Sequence, residues 1–218
     1  QGLGYYARAR NLHKCARVVA DEFEGQFPDS EEALIKLPGI GPYTAAAVAA
    51  IAFGRETVPV DGNIERVISR LYAIDEPLPG SKPRIKKLVS AALKPERPGD
   101  FAQALMDLGA TVCTPRSPLC VTCPVSDVCD GYNLNKAEQF PKKAPKKPKP
   151  TRRGVVFWAV REDGAVLIRR RPEKGLLGGM MEFPSTDWVE APWTDEAALK
   201  YAPIKALSWK QLPGIVRH

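Results

Sequence analysis

A mainly α-helical domain carrying a four-cysteine loop, followed by a smaller α+β domain, is the fold class this sequence predicts. Three observations predict it. Apolar residues recur at three- and four-residue steps from Leu12 to Val112, four of the five cysteines crowd into Cys113–Cys129, and beyond Arg153 the apolar period shortens to two. The 218 residues suffice for one large domain or for two smaller ones with separate cores. Apolar content of 44% and charged content of 26% are ordinary for a soluble protein, and no run of about eighteen apolar residues predicts a membrane span.

The first helix is expected between Gly4 and Phe23, with Leu12, Cys15, Ala16, Val19, Ala20 and Phe23 forming one buried face. Cys15 lies on that stripe and reads as a core thiol, not as a fifth ligand for the cysteine loop. Ser30 before Glu31 and Glu32 is an N-cap with acids in the first turn, opening a short helix that ends at "LPGIG". A further helix starts at Pro42, a residue suited to the first helical position, and runs through "YTAAAVAAIAF" to Gly54. The two form a helical hairpin around a tight glycine turn. After "VPVDGN" comes a helix with Ile64, Val67, Ile68 and Leu71 on one face, and others follow at about 81 to 93 and 99 to 112.

The net charge of +7 equals the cations of one stretch: Lys142, Lys143, Lys146, Lys147, Lys149, Arg152 and Arg153, with no acid among them. The folded parts are therefore balanced, and any nucleic-acid contact there must come from local geometry. "PKKAPKKPKP", with four prolines among like charges, is an extended linker, whether a solvated spacer or a DNA contact. Beyond it "GVVFWAV" and "AVLIRRRP" read as strands joined by an "EDG" hairpin turn. The expected organisation is a helical domain over 1–112, a cysteine loop over 113–130, a linker over 131–153 and a second domain over 154–218.

Three groups of residues point to chemistry. Cys113, Cys120, Cys123 and Cys129 follow the spacing C-x6-C-x2-C-x5-C. Structural zinc usually draws on two separated Cys-x2-Cys pairs or on histidines, and disulfides suit small secreted domains. Four thiolates in one compact loop suit a 4Fe-4S cluster, with zinc the main competitor. Gly39 and Gly41 in "LPGIGPYT" would let backbone approach a partner, and the helix that follows offers unpaired N–H groups to a phosphate. A plain helical hairpin fits the same residues. Asp61 precedes a helix, where a carboxylate is favoured by the helix dipole, and Asn63 is close enough to orient a substrate or a water; a simple N-cap fits as well.

Together, "LPGIGPYT", "VPVDGN" and the cysteine spacing resemble the helix-hairpin-helix DNA glycosylase superfamily with its iron-sulfur loop. "QGLGYYARARNLHK" and "GLLGGMMEFPS" resemble, within it, the MutY-type adenine DNA glycosylases. The resemblance covers nearly the whole chain. It implies a monofunctional DNA N-glycosylase of base-excision repair, releasing adenine mispaired with 8-oxoguanine or guanine from a flipped nucleotide, with a 4Fe-4S cluster and double-stranded DNA as partner. It implies Asp61 as the carboxylate that stabilises an oxocarbenium-like sugar, and Asn63 and Tyr43 as lining the same pocket. Tyr5 would wedge into the base stack, Gly39 and Gly41 would seat a phosphate, and Arg116 would reach the DNA backbone, unless it is a solvated loop charge.

Tyr43 also separates two subfamilies. Endonuclease III-like relatives carry a lysine there, which forms a Schiff base with the sugar; tyrosine cannot. The C-terminal part resembles the start of a Nudix domain, which in this family reads the 8-oxoguanine strand. The hydrolase pattern Gly-x5-Glu-x7-Arg-Glu-x2-Glu-Glu does not occur from Gly175 to Tyr201, so Glu182 is expected to be structural. The glutamate that protonates adenine in relatives lies upstream of "QGLGYY", and an 8-oxoguanine-reading loop would follow His218, so the chain reads as a fragment whose activity alone is in doubt. A monomer is expected, located in the bacterial cytoplasm or in a eukaryotic nucleus or mitochondrion, with no membrane association. Competing readings are an oxidised-pyrimidine glycosylase with lyase activity, a non-catalytic DNA-binding module and a zinc-stabilised adaptor.

Overall fold

The structure is a computed structural model describing residues 6–145, 148–175, 177–205 and 208–215. The chain divides into a helical unit, Arg8–Lys146, and a second unit containing Lys147–His218. No helix among the described residues is long and apolar enough to cross a membrane.

The helical unit begins with α1 (Tyr6–Glu22), α2 (Glu31–Leu34), α3 (Pro42–Phe53), α4 (Gly62–Leu71), α5 (Lys82–Ala92) and α6 (Pro98–Asp107), which runs on into a π-helical turn, Leu108–Val112. The caps follow the sequence. Ser30 Oγ accepts from the Ala33 N–H at 3.3 Å, Pro42 opens α3, and Gly54 closes it in the left-handed conformation. Two cores form. Val58, Ile64, Ile68, Ile74, Ile85, Val89 and Ala102 join α4, α5 and α6, while Cys15, Val19, Leu34, Leu37, Ala45 and Ala49 join α1, α2 and α3.

The expected apolar face of α1 needs correction. Cys15 is buried, at 4% exposure, and so is Val19, but Leu12 is 64% exposed, and Ala16, Ala20 and Phe23 also face solvent. The helix meets its neighbours along a single line of side chains, so only residues one turn apart on that line are covered.

Within 131–153, where a linker is expected, the chain first makes α7 (Asp130–Asn133) and then buries Phe140. Leu78 N–H donates to the Lys142 carbonyl at 2.9 Å and Ala144 N–H to the Leu78 carbonyl at 3.0 Å, which pins the start of the basic stretch to the α4–α5 connection. Lys142 also pairs with Asp75 at 2.7 Å.

The second unit contains β1 (Arg169–Arg170), β2 (Met181–Glu182) and α8 (Asp195–Leu199). β1 and β2 are antiparallel, with Arg169 opposite Glu182 and Arg170 opposite Met181. Of the expected longer strands, "AVLIRRRP" keeps the two residues of β1, and "GVVFWAV" makes isolated antiparallel bridges, Val156 with Ser185 and Val160 with Val166. The "EDG" turn forms, with Gly164 at φ +83° and its N–H donating to the Arg161 carbonyl. Glu182 accepts from Arg169 Nε at 2.9 Å and from Arg171 at 2.6 Å, tying the two segments together.

Candidate functional site

α4 organises the site from its first residue. Asp61 is its N-cap: Oδ1 accepts the backbone N–H groups of Asn63 at 2.9 Å and Ile64 at 2.8 Å, while Oδ2 accepts the Asn63 side-chain amide at 3.1 Å. Three donors fix the carboxylate at the positive end of the helix. Asn63 is held in turn, its Oδ1 accepting from Arg66 at 2.9 Å.

Arg66 reaches further. Its Nε donates to the Cys113 carbonyl at 2.7 Å and a terminal nitrogen donates to the Gly109 carbonyl at 2.6 Å. Burial lowers the pKa of this guanidinium, with Cys113 and Asp61 opposing the effect and Arg70 adding to it. Gly109 can sit there because it has no side chain: a Cβ would lie 2.7 Å from the Asn63 Cβ. The π-helical turn is thereby packed directly on the residue beside Asp61, and π-helical segments recur at functional sites.

Tyr43 stands in the first turn of α3, 41% exposed, and its hydroxyl donates to the Met106 sulfur at 3.2 Å. α6 packs against both α3 and α4, so Met106 and Gly109 place the supports of Tyr43 and Asn63 on one continuous helical segment. In the hairpin, Gly39 has φ +79°, and a Cβ there would lie 2.6 Å from the Asn11 Cβ of α1. Gly41 caps α3 without a side-chain hydrogen bond, and a Cβ there would meet nothing within 4 Å. The start of α3 thus has no side-chain cap and free space beside Gly41.

Cys113, Cys120, Cys123 and Cys129 line one recess with apolar side chains including Val67 and Leu71. Burial pushes the Cys120 and Cys129 thiols up from their ordinary pKa, and the nearby Cys113 adds to the effect at both, while backbone N–H groups of Tyr132 and Gly131 oppose it at Cys129. Among the described residues no group of three or more His, Cys, Asp or Glu is gathered closely enough to hold a single metal ion. The four cysteines share one largely apolar recess, and a set of four thiolates fits the cage of an iron-sulfur cluster. A cluster held by these residues supplies a rigid cross-link for the loop.

Arg116 lies exposed on the loop between Cys113 and Cys120, with its carbonyl accepting from Thr114 Oγ1 at 2.9 Å. Tyr5 lies outside the described residues. The structure therefore brings Asp61 and Asn63 together, sets Tyr43 on a neighbouring helix, and leaves the hairpin glycines and Arg116 at the surface. Sequence reasoning missed Arg66, Arg70 and Met106. Arg70 left one signal, a cation on the apolar arc of α4 between Val67 and Leu71.

Comparison with known proteins fits this arrangement. Family models for a helix-hairpin-helix motif match residues 22–51, for the iron-sulfur binding domain of endonuclease III residues 113–129, and for a NUDIX domain residues 155–218. The adenine DNA glycosylase of Homo sapiens is 37% identical over 251 residues, covering 91% of this chain and 45% of that protein. That of Arabidopsis thaliana is 41% identical over 202 residues, covering 84% and 31%, and that of Schizosaccharomyces pombe is 34% identical over 234, covering 88% and 51%. The chain thus spans about half the length of these relatives or less. Among solved structures, a thermostable thymine-DNA glycosylase superposes with a TM-score of 0.52 at 35% identity, covering 58% of each chain. A non-covalent endonuclease III–DNA complex gives 0.50 at 28%, covering 59% of each. The helical unit has the helix-hairpin-helix glycosylase fold, its four-cysteine loop is the iron-sulfur site of that fold and holds a 4Fe-4S cluster, and a Nudix-type domain follows.

Proposed function

Since this chain belongs to the adenine DNA glycosylase family, we propose that its protein excises adenine from DNA by hydrolysing the N-glycosidic bond, with Asp61 as the catalytic carboxylate. The observation that carries the reading is the fixed Asp61 carboxylate, with Oδ1 saturated by two helix N–H groups and Oδ2 holding one amide donor. Oδ2 keeps a free lone pair for the sugar. As the base departs, positive charge grows on the deoxyribose, and a preorganised anion stabilises it without having to reorient, by about 3 kcal/mol or more. Asn63 and Arg66 hold that anion in place.

Tyr43 supports a monofunctional reaction. It has no amine with which to form an imine, so the strand is left intact at an abasic site, and its hydroxyl is held by a hydrogen bond donated to the Met106 sulfur. Double-stranded DNA is the partner. The open N-terminus of α3 beyond Gly39 and Gly41 seats a backbone phosphate, Arg116 contacts a second one, and Tyr5 enters the base stack. The Nudix-type domain reads the base opposite adenine, 8-oxoguanine or guanine, and the protein acts as a monomer.

The test uses the full-length gene product on two duplexes, one with adenine opposite 8-oxoguanine and one with thymine glycol opposite adenine. Strand breaks on the first that need alkali, lost in Asp61→Asn while DNA binding persists, are the expected result. Breaks on the second without alkali, or undiminished excision by Asp61→Asn, overturn the proposal.

A further inference from the structure

Arg70 heads the fully buried side chains by volume, with 2% exposure, and nothing in the proposed excision chemistry uses it. Its fork ends entirely on the cysteine loop and the segment behind it. Nε donates to the Phe140 carbonyl at 3.2 Å, and Nη2 to the Pro115 carbonyl at 3.2 Å. Nη1 donates to the Thr114 carbonyl at 2.7 Å and to Cys113 Sγ at 3.3 Å. The same residue stands beside the last cysteine through its backbone: in the metal-free loop Cys129 Sγ donates to the Arg70 carbonyl at 3.6 Å, a contact that remains as proximity alone once the sulfur is a cluster-bound thiolate. First and last ligands of the loop thus converge on one residue of α4.

Those acceptors take up four of the five guanidinium N–H groups but do not balance the charge. Among the described residues no carboxylate forms an ion pair with Arg70. A buried cation without a counter-charge is strongly unfavourable. The groups beside it that can carry negative charge are the cysteine thiols, and four thiolates outweigh the positive charge of an iron-sulfur core in each of its usual oxidation states.

We propose that Arg70 is the internal counter-cation of the iron-sulfur cluster: it neutralises part of the cluster's negative charge, donates a charge-assisted hydrogen bond to the Cys113 sulfur, and fixes the backbone of the two residues that follow. The inference rests on the four-cysteine loop holding a cluster. A cation at this distance stabilises the more reduced, more negative state, so it raises the cluster's reduction potential, and the hydrogen bond to sulfur acts in the same direction.

The test compares the cluster-loaded full-length protein with Arg70→Gln, which removes the charge, and Arg70→Lys, which keeps it and loses the fork. Arg70→Gln is expected to lower the midpoint potential in film voltammetry and to speed bleaching by an iron chelator about tenfold, the equivalent of one charge-assisted hydrogen bond. Arg70→Lys is expected to keep a potential near that of the parent protein while still bleaching faster. A merely structural residue would change retention in both variants and the potential in neither. Should Arg70→Gln not fold, the parent protein labelled with 15N-arginine and reduced with dithionite answers the same question by pulsed EPR, where coupling of a guanidinium nitrogen to the cluster is expected. An unmoved potential in loaded Arg70→Gln, or no nitrogen coupling, overturns the proposal alone. A parent protein without iron or cluster absorbance overturns the cluster reading and this one with it.

Discussion

The helical unit and the second unit are built on opposite terms. Between Arg8 and Lys146 two aliphatic cores close around α1 to α6, and nearly every helix carries a recognisable start. From Lys147 onward the buried apolar side chains among those described are Phe157, Pro184, Ala198 and Ala202, and the longest described strands have two residues each. The difference shows where each unit's specification lies. A helix satisfies its backbone within one segment, so local pattern suffices, whereas a strand needs a partner at a particular register. The second unit meets that need with side chains, through Glu182 between Arg169 and Arg171 and the ring contact of Phe157 with Trp209 at 5.1 Å.

Core deletions test the contrast most strongly. Ile68→Ala is expected to cost about 2–5 kcal/mol and to lower the melting transition of the helical unit, while Phe157→Ala leaves that transition in place and moves only the second unit's. Calorimetry of the full-length protein decides; one shared transition displaced by both variants would break the comparison. Gly131→Ala probes the seam between the core and the cysteine loop. Its Cβ would lie 2.6 Å from the Arg70 carbonyl, and the backbone shift required is expected to cost about 1–3 kcal/mol, read as a lower melting temperature together with loss of cluster absorbance.

A smaller effect is expected at the supports of the site. Met106→Leu keeps the packing volume but removes the acceptor of the Tyr43 hydroxyl, and should slow single-turnover adenine release about fivefold or less, the worth of one neutral hydrogen bond. A loss of several orders of magnitude would mean that Met106 acts directly in the chemistry. The smallest effect is in pH. In the cluster-free protein the raised Cys120 and Cys129 pKa values mean that the folded state holds their protons more tightly than the unfolded chain does. Their contribution to stability is complete below the ordinary thiol range and is lost as pH rises through it toward the raised values. Denaturant melts across that window should show the decline in the cluster-free form and not in the loaded one, where the thiolates are already committed to iron.

How much the sequence discloses follows the same division. The caps at Ser30, Pro42 and Asp61 and the inner face of α4 are readable because they are local. The stripe on α1 is misread because periodicity shows that a helix is amphipathic without showing how wide a face its neighbours cover, and here only Cys15 and Val19 are enclosed. Asp61 is legible as a carboxylate at a helix start. Its supports are not: Arg66 finds Gly109 and Cys113 more than forty positions away, contacts that no spacing rule encodes. Met106 is equally invisible, since a thioether on an amphipathic helix is indistinguishable from core filling.

The pinned start of the basic stretch has a mechanical consequence. Any tension on the chain beyond Ala144 meets first the two hydrogen bonds with Leu78, which belong to a parallel bridge. Only after both yield would force reach Phe140, whose carbonyl is gripped by Arg70. The paired segment works as the strain relief on a cable does, taking up load before it reaches the residues that grip the iron-sulfur cage.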